Sequence, residues 1–128
     1  MTRLLLTLLL AGCVTVPNDI RAVNAEANAI PYRSDMAAYG VAQHLATPAE
    51  FRAKGGDCED YAYYKLTQLR MLGYSGTMLI VRTRKGEAHA VAVIDHEGQK
   101  YVLDNAVKRV VTLDEMAEYY EIVKEINI

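Results

Sequence analysis

The stretch Gly55-Gly56-Asp57-Cys58-Glu59-Asp60-Tyr61-Ala62 brings two glycines, a helix-capping aspartate and a cysteine together, and it constrains the fold more than any other part of the chain. Asp57 is a favoured N-cap type. Asp60, three positions on, completes a weaker form of the reciprocal capping box, so a helix is expected from about Cys58. Gly73 is placed to end that helix as the left-handed residue just past its last turn. Stepping about 100° per residue sets Ala62, Leu66, Leu69 and Leu72 on the side of Cys58, with Glu59, Asp60, Thr67 and Arg70 opposite. The thiol thus stands at the N-terminal edge of the inward stripe. There, unpaired N–H groups and the positive end of the helix dipole favour thiolate, and the glycine loop leaves the sulfur within reach of a bound molecule. The plain alternative is a small buried hydrophobe. A base elsewhere in the chain would decide between them.

With 128 residues and a net charge of −2, the chain suits one domain with one core and gives no electrostatic case for a nucleic-acid partner. Arg3 precedes the apolar run Leu4 to Leu10, which has signal-peptide length and falls short of the roughly 18 to 20 residues needed to span a bilayer. Leu10-Ala11-Gly12-Cys13 reads as a lipobox, with Cys13 acylated as the mature N-terminus and the chain tethered to a membrane face. An ordinary signal peptide with Cys13 incidental is the other reading. The expected organisation is a signal peptide with lipobox over 1–13, a tether over 14–18 and a single domain over 19–128. An oxidising compartment normally pairs thiols, and an acylated Cys13 leaves Cys58 without a partner.

Along the chain, Ile20, Val23 and Ala27 recur at helical spacing after Pro17 and stop before Pro31. Asp35 is expected to cap a short helix through Met36, Ala37 and Val41. A firmer one begins at Thr47-Pro48-Ala49-Glu50, where N-cap threonine, N1 proline and N3 glutamate coincide, and runs to about Lys54. After Gly73 the period changes. Thr77–Arg82, Ala88–Asp95 and Lys100–Asp104 read as strands joined by turns at Arg84–Glu87 and His96–Gln99, hence an antiparallel meander. Thr112 to Glu115 is another capping box opening a short helix, and Glu121 to Ile126 an edge strand. Helices first and strands after argue for an α+β fold with the cysteine helix packed on the sheet.

The base comes from this register. If Glu97-Gly98 is a two-residue hairpin turn, Val91 faces Asp104, and His89 becomes a diagonal neighbour of Asp104 on the same face, about 7 to 8 Å away at Cβ. A three-residue turn would put them on opposite faces. Cysteine on a helix N-terminus, histidine on a strand and aspartate on the next are the parts of a thiol protease or acyl transferase: Cys58 as nucleophile, His89 as base, Asp104 orienting the imidazole. His44, in the helical N-terminal region, and His96, in a turn, are poorer bases. A calcium- or peptide-binding lipoprotein without turnover uses the same parts passively.

These residues carry a resemblance. Val23-Asn24, Asn28, Ile30-Pro31-Tyr32, Asp35, Gly40-Val41, Ala46 to Phe51, Gly56 to Ala62, Lys65, Leu72-Gly73, Ala88-His89 and Val102 to Asn105 resemble the bacterial transglutaminase-like cysteine proteinases, periplasmic proteases that release large surface adhesins. The resemblance runs from Val23 to Asn105 and implies a papain/transglutaminase-like fold with Cys58, His89 and Asp104 as the triad. It departs at Gln43, His44 and Leu45, where the family has an acid and two aromatics, and in the absence of tryptophan. Asp57, Glu59 and Asp60 form an acidic ring that would raise the thiol pKa against the helix dipole. A bound calcium ion would relieve this, and the resemblance implies such carboxylate ligands. It further implies a protein substrate such as a surface adhesin, a regulatory membrane receptor and a periplasmic location. Lys65 is expected to offset the acidic ring.

Overall fold

The computed structural model describes residues 15–128, so the leader, the lipobox and Cys13 lie outside the described residues. The central helix, α4 (Cys58–Met71), begins and ends where its caps dictate. Asp57 accepts from the Asp60 N–H while the Asp60 carboxylate accepts from the Asp57 N–H, which satisfies two orphan donors at once. At the other end, Gly73 at φ 92° donates to the Arg70 carbonyl and Tyr74 to the Leu69 carbonyl, a Schellman closure.

Helix α4 buries two faces. Ala62, Leu66 and Leu69 pack on the sheet with Ile20 and Val23 of α1 (Asn18–Asn28). Tyr61 and Tyr64 pack on Phe51 of α3 (Pro48–Lys54), beside Ala27 and Ala46. The single inward stripe expected from periodicity is therefore too narrow. Asp60, expected on the outer face, is fully buried because its carboxylate also accepts from the Ala46 N–H at 2.8 Å. Leu72, expected inside, is exposed as the last residue before the glycine stop. Short helix α2 (Asp35–Tyr39) is capped by Ser34, whose hydroxyl accepts from the Ala37 N–H, so Asp35 is its first residue and not its cap, and left-handed Gly40, φ 70°, ends it before Val41.

The sheet contains β1 (Ser75–Arg82), β2 (Ala88–His96), β3 (Gln99–Leu103), β4 (Val111–Thr112) and β5 (Glu121–Ile126), in the spatial order β4-β3-β2-β1-β5. All pairings are antiparallel. The β2–β3 connection is the two-residue turn: Glu97 and Gly98 both take positive φ, 49° and 76°, and His96 pairs with Gln99. That register continues to Ala92–Leu103, so Asp104 leaves β3 in the expected phase. Strand β2 is buried on both faces. One face meets α4 and α1, and the other meets Leu79, Val81, Val102, Val111 and Met116 beneath α5 (Leu113–Met116). The result is the expected α+β arrangement, with β5 at the edge beside β1. Strand β4, two residues long, is too short to show a period. Among the described residues no helix is long and apolar enough to cross a membrane.

Candidate active site

Cys58 occupies the first position of α4, half-buried and unpaired. The loop delivering it approaches the preceding chain closely: Tyr32 and Gly56 form a bridge, and Arg33 donates to the Gly56 carbonyl at 2.8 Å. Gly55 has φ 77°, and a Cβ there would overlap the Pro31 carbonyl oxygen. Gly56 leaves the room that the Asp60 side chain fills. The two glycines thus serve to press the cysteine loop onto the 30–35 segment.

His89, near the start of β2, turns its Nε2 to Asp104 Oδ1 at 2.7 Å. Its side chain is 12% exposed and Asp104 is 1% exposed. With Nε2 engaged, the second ring nitrogen is left for the Cys58 thiol, which is near enough to act on the imidazole. Burial alone would push His89 down, but hydrogen bonds to Asp104 and Cys58 outweigh it and raise the imidazole to about 9. Burial works against the Asp104 charge too. The donors His89, Ala106 N–H and the Tyr120 hydroxyl more than compensate and hold it below the usual carboxylate range. The Asp104 backbone carbonyl is fixed separately by Asn28 Nδ2 at 3.0 Å. Cysteine, histidine and aspartate are therefore brought together around one imidazole. His44 instead pairs with Glu50 at 3.0 Å, and His96 stands at the opposite end of β2.

The acidic ring is arranged differently from the expectation. Carboxylate oxygens of Asp35, Asp57 and Asp60 lie within 4.8 Å of one another. Glu59 is outside that group, although it lines a polar cavity of about 300 Å³ together with Asp35 and Asp57. Asp35, the first residue of α2, takes the place assigned to Glu59. Burial, then the neighbouring Asp60 charge, pushes Asp57 up to about 6. Burial also raises Asp60 and Glu59. Asp35 Oδ1 is buried with no partner among the described residues, while Oδ2 accepts from the His44 N–H. Three crowded carboxylates with an orphaned oxygen fit a hard divalent cation, which takes oxygen ligands of this kind.

Lys65 does not offset these acids. It is fully buried, with Nζ bonded to Asn28 Oδ1 at 2.8 Å, and burial lowers it to about 7 even though Asp104 pulls the other way. The sequence carries no site role for Asp35, Asn28 or Tyr120. Asp35 is expected there only as a helix cap and, like Asn28, as a residue of the resemblance, and Tyr120 carries no local signal at all.

A family model, bacterial transglutaminase-like cysteine proteinase BTLCP, matches residues 14–126 and so extends beyond the Val23 to Asn105 span into the C-terminal region. No curated protein matches the chain. Among solved structures the chain is similar to Legionella pneumophila LapG in a calcium-bound form, with TM-score 0.71, 23% identity, and 84% of this chain and 63% of that one covered. It is similar to an EGTA-treated form of the same protein at TM-score 0.69 and 23% identity, covering 84% and 61%. The likeness is one of fold and agrees with the papain/transglutaminase-like architecture. The chain spans less than two thirds of those structures.

Proposed function

The chain belongs to the bacterial transglutaminase-like cysteine proteinase family, and from that premise we propose that it is an exported, lipid-anchored cysteine peptidase that cleaves a protein substrate through an acyl-enzyme. The observation that carries this is the His89–Asp104 pair at 2.7 Å, with the Cys58 thiol acting on the same imidazole. His89 draws the thiol proton, and the Cys58 sulfur attacks the scissile carbonyl carbon. The oxyanion lies near the backbone N–H of Cys58, at the start of α4. The imidazolium then gives its proton to the leaving amine. His89 next takes a proton from water, whose oxygen attacks the thioester carbonyl and frees the carboxylate and the thiol. Asp104 holds the tautomer and the charge throughout.

Calcium is the proposed cation at Asp35, Asp57 and Asp60; the calcium-bound form of the Legionella structure supports the choice. When bound, it supplies positive charge that offsets the carboxylates crowding the start of α4. Acylated Cys13 would anchor the domain to a periplasmic membrane face just ahead of α1, whose first residue is Asn18, so the tether expected over 14–18 is shorter. A surface adhesin is the proposed substrate and a membrane receptor the proposed regulator. Sequencing of new protein N-termini in the cell envelope tests the reading. Cleavage sites present with the full chain should vanish with Cys58→Ser, and an identical set of termini with both would overturn it.

A further inference from the structure

The Asp104 carboxylate has more to satisfy than the imidazole. Oδ1 receives two donors, His89 Nε2 at 2.7 Å and the Ala106 N–H at 2.9 Å. Oδ2 receives the Tyr120 hydroxyl at 2.9 Å. In a residue 1% exposed, an oxygen stripped of that donor would have no water to replace it. The carboxylate would then gain by rotating to share its remaining donors. Rotation about the Cβ–Cγ bond moves Oδ1 away from Nε2.

Tyr120 is also placed with care. Its backbone N–H and that of Tyr119 both donate to the Met116 carbonyl, at 2.9 and 3.0 Å. Met116 is fully buried in the cluster beneath the sheet. Arg84 Nη2 holds the Glu118 carbonyl at 3.0 Å, and Glu121, the residue after Tyr120, already pairs from β5 with Arg82 of β1. The ring packs 4.6 Å from Tyr119, edge to face, and 5.6 Å from the His89 ring at 60°. One side chain therefore touches both the base and its carboxylate, from a segment fixed on both sides.

We infer that Tyr120 is a positioning residue for the proposed triad: its hydroxyl locks the second oxygen of Asp104 so that the first stays on His89, and its ring covers the pair. The C-terminal segment is thereby part of the site. The inference rests on the peptidase reading for its catalytic meaning, but its geometry is tested without activity. The chain has three histidines, so the His89 imidazole can be followed alone by NMR titration in the full-length protein. Tyr120→Phe keeps the ring and removes the donor. An electrostatic bystander would leave the His89 midpoint in place or raise it, since the carboxylate loses a partner that spread its charge. A positioning residue lowers it, by about one pH unit, or tenfold in proton affinity.

Alkylation of Cys58 by iodoacetamide at pH 7 should slow by about tenfold in parallel. Tyr120→Gln, which returns a donor without a ring, should recover part of the midpoint and keeps the test open if the phenylalanine variant folds poorly. A His89 midpoint in folded Tyr120→Phe that is unchanged or higher overturns the inference. The peptidase reading fails separately, if His89→Ala leaves Cys58 alkylation unaltered.

Discussion

Asp104→Asn probes the electrostatics of the site most sharply, because it removes a charge while nearly keeping a shape. His89 is raised from its ordinary 6.5 to about 9, which corresponds to about 3 kcal/mol of added affinity for its proton. Asp104 contributes more of this than Cys58, through both hydrogen bonding and charge, so the substitution should remove about 2 kcal/mol or more. The His89 midpoint then falls from about 9 to near or below 7, roughly a hundredfold loss. The same shift appears in stability. A histidine raised in the folded state stabilises it fully below its unfolded value of 6.5, and this contribution is lost as pH rises through about 9. Urea unfolding of wild type and Asp104→Asn should therefore differ by about 2 kcal/mol more at pH 6 than at pH 9.5. NMR titration of His89 gives the midpoint directly. An equal stability gap at the two pH values, with His89 still titrating near 9, would show that the carboxylate does not hold the imidazolium.

Calcium should raise Tm by on the order of 10 °C at a hundredfold excess over Kd, from about 2.7 kcal/mol of linkage. The rise should be larger at pH 7.5 than at pH 5. Asp57 is raised to about 6 in the folded chain, so its unfavourable charge is present above that value and is neutralised by protons below it. Asp35→Asn should abolish most of the calcium effect by calorimetry, whereas Glu59→Gln should preserve it; the reverse ranking would return the site to the acids around Cys58. Gly55→Ala puts a Cβ against the Pro31 carbonyl at a positive φ. It should lower stability by about 2 kcal/mol or more in urea unfolding, and a neutral result would mean the 30–35 segment is not pressed onto the cysteine loop.

Much of this could be read from local chemistry. The boxes at Thr47, Asp57 and Thr112 all formed with both reciprocal bonds, because a cap depends only on neighbours three residues apart. The Glu97-Gly98 turn set the register that brings His89 to Asp104, again from two residues. What escaped depends on packing between distant segments. Asp60 is buried because Ala46 approaches it, Asp35 joins the acids from a separate helix, and Lys65 turns inward to meet Asn28. None of these contacts leaves a period or spacing in the sequence. Tyr120 escaped for a further reason: the tail packs on β1, an element far away along the chain, so its relation to Asp104 exists only after the sheet has formed.

The account depends on His89 drawing the Cys58 proton, and the pH dependence of Cys58 alkylation by iodoacetamide, read by peptide mass mapping so that Cys13 is counted apart, measures this most directly. Wild-type protein should be alkylated rapidly at pH 6.5, and His89→Ala should be slower there by about a hundredfold and approach the wild-type rate only in alkali. Superimposable profiles for the two proteins would mean that the thiol and the imidazole act independently, and the site would then be no more than a buried cysteine beside a histidine–aspartate pair.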